Sequence, residues 1–420
     1  MCAALGARTF LRQHHIPDEA CRIAIAERNN RLGIKIRISG GGKCNITHAG
    51  DMMSVLSKGF LRQNEQRFLK PSFFELSNET VLSWLHTKGV HTYTRENGRI
   101  FPRSGNADDV LRAFEKLLAE HSIEVLLKTH ILALRQEHGT FIAQTKTEEL
   151  RSDFLLIATG GVSYPKTGTT GDGLRFAKAF GHHIVEPISA LAPIYFTEKP
   201  SGNLIGISFR DVELIAETPT KKLTRRGDVL ITHLGISGPA CLSISREVAE
   251  ALPQHPVSMF VDFFPNHSAE TLEQQFISFQ ASRAGQFVRT FFEEQLPNAI
   301  VVPLFRQAEI PQEQKWHSLP KPMRRKLTAI SKKYFLGMVK DVPIERGEVS
   351  AGGVSLQDVN PKTMQSRLVQ NLYFAGEVLD VAGEVGGFNL QAAYSTGWVA
   401  GKHVATQLLA RYFSQSLATN

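Results

Sequence analysis

The segment 373–393 constrains the fold of this 420-residue chain more than any other part of it. An apolar strand pattern over 373–375 leads through Gly376-Glu377 and Asp380 to the pair Gly386-Gly387, and a long helical pattern follows. A glycine turn before a helix presents backbone N–H groups at the positive end of the helix dipole. This order of elements predicts an α/β fold whose parallel strands end at a ligand-binding edge.

Three further segments point to the same kind of edge. Glu27 ends the strand pattern 22–27, where an acid suits a ribose diol. The loop 39–45 contains three consecutive glycines, which let a backbone approach a flat or phosphorylated ligand. The apolar strand 154–159 stops at Gly160-Gly161. Each feature also has a purely structural interpretation, as a solvated carboxylate, a flexible loop or a tight turn.

The α/β rhythm is interrupted in the middle of the chain. From about 191 to 348, short alternating strands and a run of helices replace it, and it resumes after 349. We therefore expect an α/β domain that is split by an inserted β domain carrying a helical subdomain. The expected bounds are 1–190 and 349–420 for the α/β domain, 191–265 and 335–348 for the β insert, and 266–334 for the helices.

Composition is that of an ordinary globular protein, with 42% hydrophobic and 21% charged residues. No apolar run approaches the roughly 18 residues that a membrane helix needs. The four cysteines, Cys2, Cys21, Cys44 and Cys241, show no spacing typical of a disulfide framework or a zinc site. We expect a cytoplasmic protein with no metal and no membrane partner.

The net charge is +8 at pH 7, and part of the excess is concentrated. Six cations lie within 321–333 and four within 221–226. A polyanion such as structured RNA would bind such stretches, whereas a solvated helix face would carry the same residues without any partner. The sequence leaves both interpretations open.

Taken together, these segments resemble the FAD-dependent flavoproteins known as HI0933-like or BaiN-like NAD(P)/FAD-dependent oxidoreductases. The resemblance covers nearly the whole chain, through segments 39–45, 157–161, 164–173, 232–240 and 376–391. It implies an FAD-binding Rossmann-like domain of the two-dinucleotide-binding-domain type, split by a β-barrel-like domain with a helical insert. Members of the family open with a strand and a Gly-x-Gly-x-x-Gly loop, whereas residues 1–4 match the inside of the next helix. We expect a start upstream of Met1; otherwise the pyrophosphate site is lost, and FAD binds weakly or not at all.

The residue patterns and this resemblance together predict a set of cofactor contacts. The predicted FAD contacts are Glu27, Lys35, Ser39, Gly40, Gly41, Cys44, Asn45, Thr159, Gly160, Gly161, Gly376, Glu377, Asp380, Gly386, Gly387, Phe388, Asn389, Leu390 and Gln391. Cys44 is also predicted as a proton donor, because a thiol beside Lys43 can be tuned across neutral pH. The alternative is an inert packing cysteine.

The resemblance implies reduction of an activated C=C bond, in which flavin N5 gives hydride to one carbon and an acid protonates its neighbour. The substrate would be a small alkene or, as in one branch of the family, a uridine of ribosomal RNA. NADH or NADPH is the expected reductant, and the oligomeric state is left open. A hypothesis of another class is a non-catalytic flavoprotein remnant that serves as a binding module.

Overall fold

The computed structural model describes residues 1–418, with side chains up to residue 412. The helices are α1 (Cys2–Gln13), α2 (Ile34–Ile38), α3 (Met52–Gly59), α4 (Gln63–Glu75), α5 (Asn78–Thr87), α6 (Ala107–Glu120), α7 (Asp172–Ala179), α8 (Pro239–Ala251), α9 (Ala269–Ser282), α10 (Val288–Gln295), α11 (Asn298–Ala308), α12 (Lys321–Lys332) and α13 (Phe388–Ala418). Among the described residues, none of these helices has the length and apolar character needed to cross a membrane.

The strands are short in the outer parts of the chain and longer in the middle. They are β1 (Ala24–Ala26), β2 (Thr47–His48), β3 (Thr92–Thr94), β4 (Arg99–Pro102), β5 (Glu124–Leu126), β6 (Ala133–Glu137), β7 (Thr140–Gln144), β8 (Glu149–Ser152), β9 (Leu155–Ile157), β10 (Ile184–Ala190), β11 (Ile194–Phe196), β12 (Ser208–Glu217), β13 (Lys222–Ile231), β14 (Gly235–Ser237), β15 (Ser258–Asp262), β16 (Tyr334–Asp341), β17 (Val349–Val354) and β18 (Leu372–Phe374). The chain forms two compact units: Met1–Pro187 with the chain from Glu348 onward, and Ile188–Gly347.

The first unit is built on parallel strand pairs with helices packed around them. β1 runs parallel to β5, and β9 runs parallel to β18 with Leu156 opposite Tyr373. Parallel pairs need crossover connections, which is the α/β pattern that the sequence predicts. The helices α1 and α13 pack so closely that a Cβ on Gly401 would lie 1.8 Å from Ala3 O. This unit is the α/β, Rossmann-like domain expected from the sequence.

Helix α6 shows how local sequence sets the elements of this unit. The Asn106 side chain accepts a hydrogen bond from the Asp108 N–H at 3.0 Å and so caps the helix start. Carboxylates in the first turn complement the helix dipole. Val110, Phe114 and Leu118 recur at helical spacing and are buried. The exposed face of α6 carries charged residues.

The second unit is a closed antiparallel barrel with an attached helical layer. Its strand order is β11-β14-β13-β12-β15-β16. Alternate residues such as Leu214, Val229 and Val261 are fully buried, as expected for strands with one face on a core. Helices α9 to α12 lie in the part of the chain where the sequence predicts a helical subdomain. The β-barrel-like insert of the expected fold class is therefore confirmed.

The basic stretch at 321–333 is largely occupied by ion pairs within the second unit. The pairs are Arg324 and Arg325 with Glu273, Lys326 with Glu309, Lys332 with Asp262, and Lys333 with Glu217. Such pairs account for most of these cations without an external partner. An RNA partner for this stretch stays a prediction, and the ion pairs favour the alternative of a solvated helix face.

His182 gives the first unit a predictable pH dependence. Its ring lies 3.0 Å from Ala177 O and 2.8 Å from Ser366 Oγ, and burial lowers its pKa below 6.5. The unfolded chain, whose histidines titrate near 6.5, therefore takes up this proton first, and stability must fall as pH drops through about 6.5. We expect the unfolding free energy to fall less for His182→Gln than for wild type when urea titrations are compared at about pH 7.5 and about pH 5.5. The exposed His86→Gln should retain the wild-type slope, and identical slopes for all three proteins would contradict this assignment.

Candidate functional site

The carboxyl ends of β9 and β18 meet at one edge of the first unit. Because these strands are parallel neighbours, the residues that follow them, 158–161 and 375–377, lie side by side, and Ala375 N–H donates to Ile157 O at 3.2 Å. A Cβ on Gly161 would lie 2.0 Å from Ser350 Oγ and 2.9 Å from Glu377 Oε1. A larger residue at 161 would therefore displace the Ser350 and Glu377 side chains from this meeting point of three segments.

Four polar side chains form a connected group at this edge, which we call the Lys35 cluster: Lys35, Ser163, Ser350 and Glu377. Lys35 Nζ lies 2.5 Å from Glu377 Oε2 and 2.8 Å from Ser163 Oγ. Glu377 Oε1 accepts from the Ser350 N–H at 3.0 Å. The Lys35 and Glu377 side chains are 26% and 15% exposed, so this ion pair is partly shielded from water.

Two further charged groups flank the Lys35 cluster. The Ser163 hydroxyl reaches the main-chain oxygen of Glu348 at 3.5 Å, which places Glu348 beside the cluster. Desolvation raises the pKa of the Glu348 carboxyl, although Arg99 and Lys35 oppose the shift, and desolvation lowers the pKa of Arg99. Glu348 is exposed as a residue, but its carboxyl group is the desolvated part. A carboxyl group of this kind can hold a proton closer to neutral pH and release it.

Four residues of this site are not predicted from the sequence: Arg99, Ser163, Glu348 and Ser350. Ser163 follows Gly160-Gly161 and Ser350 precedes Gly352-Gly353, but none of the four carries a pattern of its own that points to a site. Only the folded chain brings them to Lys35 and Glu377. Lys35 and Glu377 themselves are among the predicted contacts, and the structure places the two together.

The predicted glycine loop is a tight turn that leaves part of its backbone open. Gly40, Gly41 and Gly42 all have positive φ, and Cys44 N–H donates to Ser39 O at 3.0 Å to close the turn. A Cβ on Gly41 or Gly42 would meet nothing within 4 Å. A ligand could therefore approach this backbone directly.

The start of α13 is joined to the same loop. With the Asn45 amide oriented to suit its neighbours, its oxygen accepts from the Gly387 N–H at 3.0 Å and its nitrogen donates to Thr47 O at 3.2 Å. The Phe388 ring stacks on His48 with ring centroids 4.7 Å apart. The structure thus brings together two motifs that are more than 300 residues apart in the sequence.

Several predicted contacts have side chains that are already used inside the protein. Gln391 is fully buried, accepts from Thr47 Oγ1 at 2.7 Å and donates to Leu76 O at 3.1 Å. Asn389 bonds Gly383 in both directions at 2.8 Å. Two others form hydrogen bonds: Asp380 Oδ1 accepts from the Gly352 N–H at 3.1 Å, and the Gly376 N–H donates to Thr396 Oγ1 at 3.0 Å. Thr159 packs against Gly173, Gly160 packs against Thr169, and Leu390 packs beside a core cluster. These residues shape the backbone of the site, and their direct contact with a cofactor stays a prediction.

Cys44 lies in the core and not on an open surface. Its side chain is fully buried, and burial raises the pKa of its thiol to about 12. The phenol of Tyr394, whose pKa is raised mainly by burial and partly by Cys44, is also buried and has no hydrogen-bond partner among the described atoms. A thiol in this position keeps its proton and offers no path for a substrate. Its role as proton donor stays a prediction, against which this geometry weighs.

Glu27 comes three residues before Asn30, which lines a cavity that suits an aromatic group. Its Oε1 accepts from the Asn29 N–H at 2.8 Å, directly after β1. A cavity of about 520 Å³ begins with the residues that follow it and is lined largely by apolar side chains, including Leu32, Val125 and Leu127. An acid beside an apolar slot is the arrangement that a ribose with an attached flat base needs. The residues present therefore fit the adenosine end of FAD.

Comparison of this chain with known protein families gives a match. The family model described as the HI0933-like protein Rossmann domain matches residues 6–403. The chain belongs to this family. Membership confirms the Rossmann-type domain and supports an FAD-binding oxidoreductase, as the resemblance implies.

Curated relatives cover almost the same length as this chain. A ribosomal RNA dihydrouridine synthase from Haemophilus influenzae is 28% identical over 92% of this chain and 93% of its own length. A 3-dehydro-bile acid delta(4,6)-reductase from Clostridium scindens is 26% identical over 92% of this chain and 94% of its own. A ribosomal RNA dihydrouridine synthase from Escherichia coli is 27% identical over 90% of both chains. This family member is thus similar along its length to proteins named for two different substrates.

Proposed function

We propose that this chain is an FAD-dependent oxidoreductase that reduces an activated C=C bond. The observation that carries the proposal is the meeting of three features in one unit: the open backbone of Gly41 and Gly42, the start of α13, and the Lys35 cluster. Family membership supports the flavin, and the bile-acid relative is named for a double-bond reduction. NADH or NADPH is the proposed source of electrons.

Each feature has a distinct part in this proposal. When bound, FAD supplies the hydride that is added to one carbon of the double bond. The positive end of the α13 dipole stabilises negative charge near its first turn, and the Asn45 bond to Gly387 holds that turn against the loop. Gly41 and Gly42 allow a flat ring to lie against the backbone. The Lys35 cluster places a cation and hydroxyl donors at the edge of the site.

Glu348 is the proposed proton donor to the second carbon. Desolvation raises the pKa of its carboxyl, which lies in the field of Arg99 and Lys35. We expect Glu348→Gln to slow reoxidation of the reduced flavin by substrate about 10²-fold to 10⁴-fold, the usual contribution of a general acid, while the flavin spectrum is unchanged. Stopped-flow absorbance measures both. The exposed neighbour variant Glu345→Gln is the control, and equal rates for the two variants would reject Glu348.

A second candidate substrate is a uridine in ribosomal RNA, reduced at the C5–C6 double bond. Two of the relatives named above are ribosomal RNA dihydrouridine synthases, and the pyrimidine double bond is activated by its carbonyl group. The same flavin chemistry and the same proton donor would serve both substrates. The residues that hold the substrate would differ.

The proposal is tested on purified protein by absorbance spectroscopy. We expect a bound flavin spectrum, bleaching by NADH or NADPH without oxygen, and recovery on adding either a 3-oxo-4,6-diene bile acid or ribosomal RNA that lacks dihydrouridine. Recovery with only one of them identifies the substrate class. A protein that binds no flavin even when FAD is added would support the alternative of a non-catalytic binding module.

A further inference from the structure

A second cavity in the first unit has a strongly basic lining. It measures about 240 Å³ and lies where the chain after α5, the end of β4 and the exposed face of α6 meet. Its charged and polar lining consists of Lys88, His91, Arg103, Ser104, Asp109, Arg112 and Lys116. Four permanent cations thus face one carboxylate. We call this cavity the basic hollow.

Two of the four cations are already paired and two are available. Lys88 pairs with Glu120, and Arg112 pairs with Asp109. Arg103 uses its Nε to donate to Thr92 O at 3.2 Å. Among the residues that the structure describes, no carboxylate lies within ion-pair distance of Arg103 or Lys116. Arg103 and Lys116 are exposed, so both can meet an anion at the rim of the hollow.

The basic hollow is connected to the glycine loop through a single strand. β4 pairs with β2, where Ile100 lies opposite Thr47, and a Cβ on Gly40 would lie 3.1 Å from the Phe101 ring. Arg103 follows Phe101 by two residues, which is about 7 Å of extended chain. β4 therefore links Arg103 in the hollow to the Gly40 end of the glycine loop.

The same hairpin carries a surface on which a base can stack. Tyr93 is 37% exposed and its ring lies 6.0 Å from that of Phe101, while the Arg95 guanidinium lies 4.2 Å from the centre of the Phe101 ring. Exposed aromatic rings and arginine planes beside cations are the combination that single-stranded nucleic acids bind. A small anion alone would make no stacking contact with the Tyr93 ring.

We propose that the basic hollow binds a phosphate group of a single-stranded RNA segment whose neighbouring nucleotide is presented to the glycine loop. The inference rests on the proposed function with RNA as substrate. Arg103 and Lys116 hold the phosphate, and Tyr93 stacks on a base. The stretch 321–333 of the second unit, whose cations are mostly paired, has no part in this binding.

The test is fluorescence anisotropy with a labelled single-stranded uridine-rich 20-nucleotide RNA, titrated with wild type, Arg103→Gln/Lys116→Gln and Lys222→Gln/Lys321→Gln between about 50 and 200 mM salt. We expect the first double variant to bind at least about 10-fold more weakly at low salt and to lose about 0.7 from the salt slope, since the one phosphate contact that both side chains make contributes about 0.7 for single strands. The control pair should stay within about threefold of wild type. Equal losses for both pairs, or none for the first, would overturn the proposal.

Two further measurements separate this proposal from the proposed function and from a free-anion site. Flavin content and bleaching by NADH or NADPH should be the same in all three proteins, because neither pair lies among the predicted flavin contacts. Normal flavin chemistry with no RNA binding by wild type would remove the RNA site and leave the oxidoreductase. Competition by inorganic phosphate at low millimolar concentration, with no dependence on RNA length, would show a site for the free anion and also overturn the proposal.

Discussion

Gly387→Ala is expected to lower the free energy of unfolding of the first unit by about 2–5 kcal/mol. A Cβ at this position would lie 2.7 Å from both the Cα and the carbonyl carbon of Thr47, and φ is +88°. Backbone atoms cannot rotate away as a side chain can, so the clash adds about 1–3 kcal/mol to a similar cost of backbone strain. Urea titration followed by far-ultraviolet circular dichroism measures the loss, and the flavin content of the purified variant should fall with it.

Gly41→Ala is the matched control for that prediction. Its φ of +68° is also positive, but a Cβ would meet nothing within 4 Å. Backbone strain alone should cost about 1 kcal/mol. A loss as large as that of Gly387→Ala would mean that the contact between α13 and Thr47 is not the cause.

Glu377→Gln is expected to destabilise the first unit by about 1–3 kcal/mol and to weaken flavin binding. The change leaves the Lys35 ammonium beside a neutral amide in a partly shielded position. Removing one partner of a fully buried ion pair destabilises a protein strongly, and the loss is smaller for this pair because both side chains keep some exposure. A double-mutant cycle with Lys35→Met should give a coupling energy of at least about 1 kcal/mol.

The surface pair Lys402–Glu75 provides the comparison. Its side chains are 40% and 41% exposed, so Glu75→Gln should change stability by less than about 0.5 kcal/mol. Additive effects at Lys35 and Glu377, with no coupling, would show that the cluster is only a chance approach of charges. Retained flavin affinity in both single variants would separate the cluster from the cofactor.

Much of the fold follows from local sequence patterns. The predicted helices over 1–15 and 107–121 are confirmed as α1 and α6, because their apolar spacing and capping residues act within a few positions. The Asn97-Gly98 hairpin is confirmed by the pairing of β3 with β4. The expected boundary of the inserted region near 190 and 348 falls close to Pro187 and Gly347. The pairing of the barrel strands cannot be predicted from local sequence, because it depends on contacts between distant segments.

The residues of the site that lie in glycine-rich motifs were predictable from the sequence, whereas those that come together only on folding were not. The glycines of the 39–45 loop and of the Gly386-Gly387 turn can be recognised in the sequence, since few other residues tolerate positive φ. Cys44 lies inside such a loop, which favours a role at the site, but its burial in the core depends on packing against distant residues. Arg99 and Glu348 carry no local pattern, and only the packing of β4 and the start of β17 brings them to Lys35.

The contact between α1 and α13 delays folding of the first unit while the chain is being synthesised. Helix α1 packs against α13, so the first unit cannot close until α13 has left the ribosome. The second unit, Ile188–Gly347, is complete well before that moment. Because domains generally fold as units during synthesis, the barrel should mature first while the earlier part of the chain waits with exposed apolar surface. Chaperone demand during synthesis should therefore concentrate on Met1–Pro187.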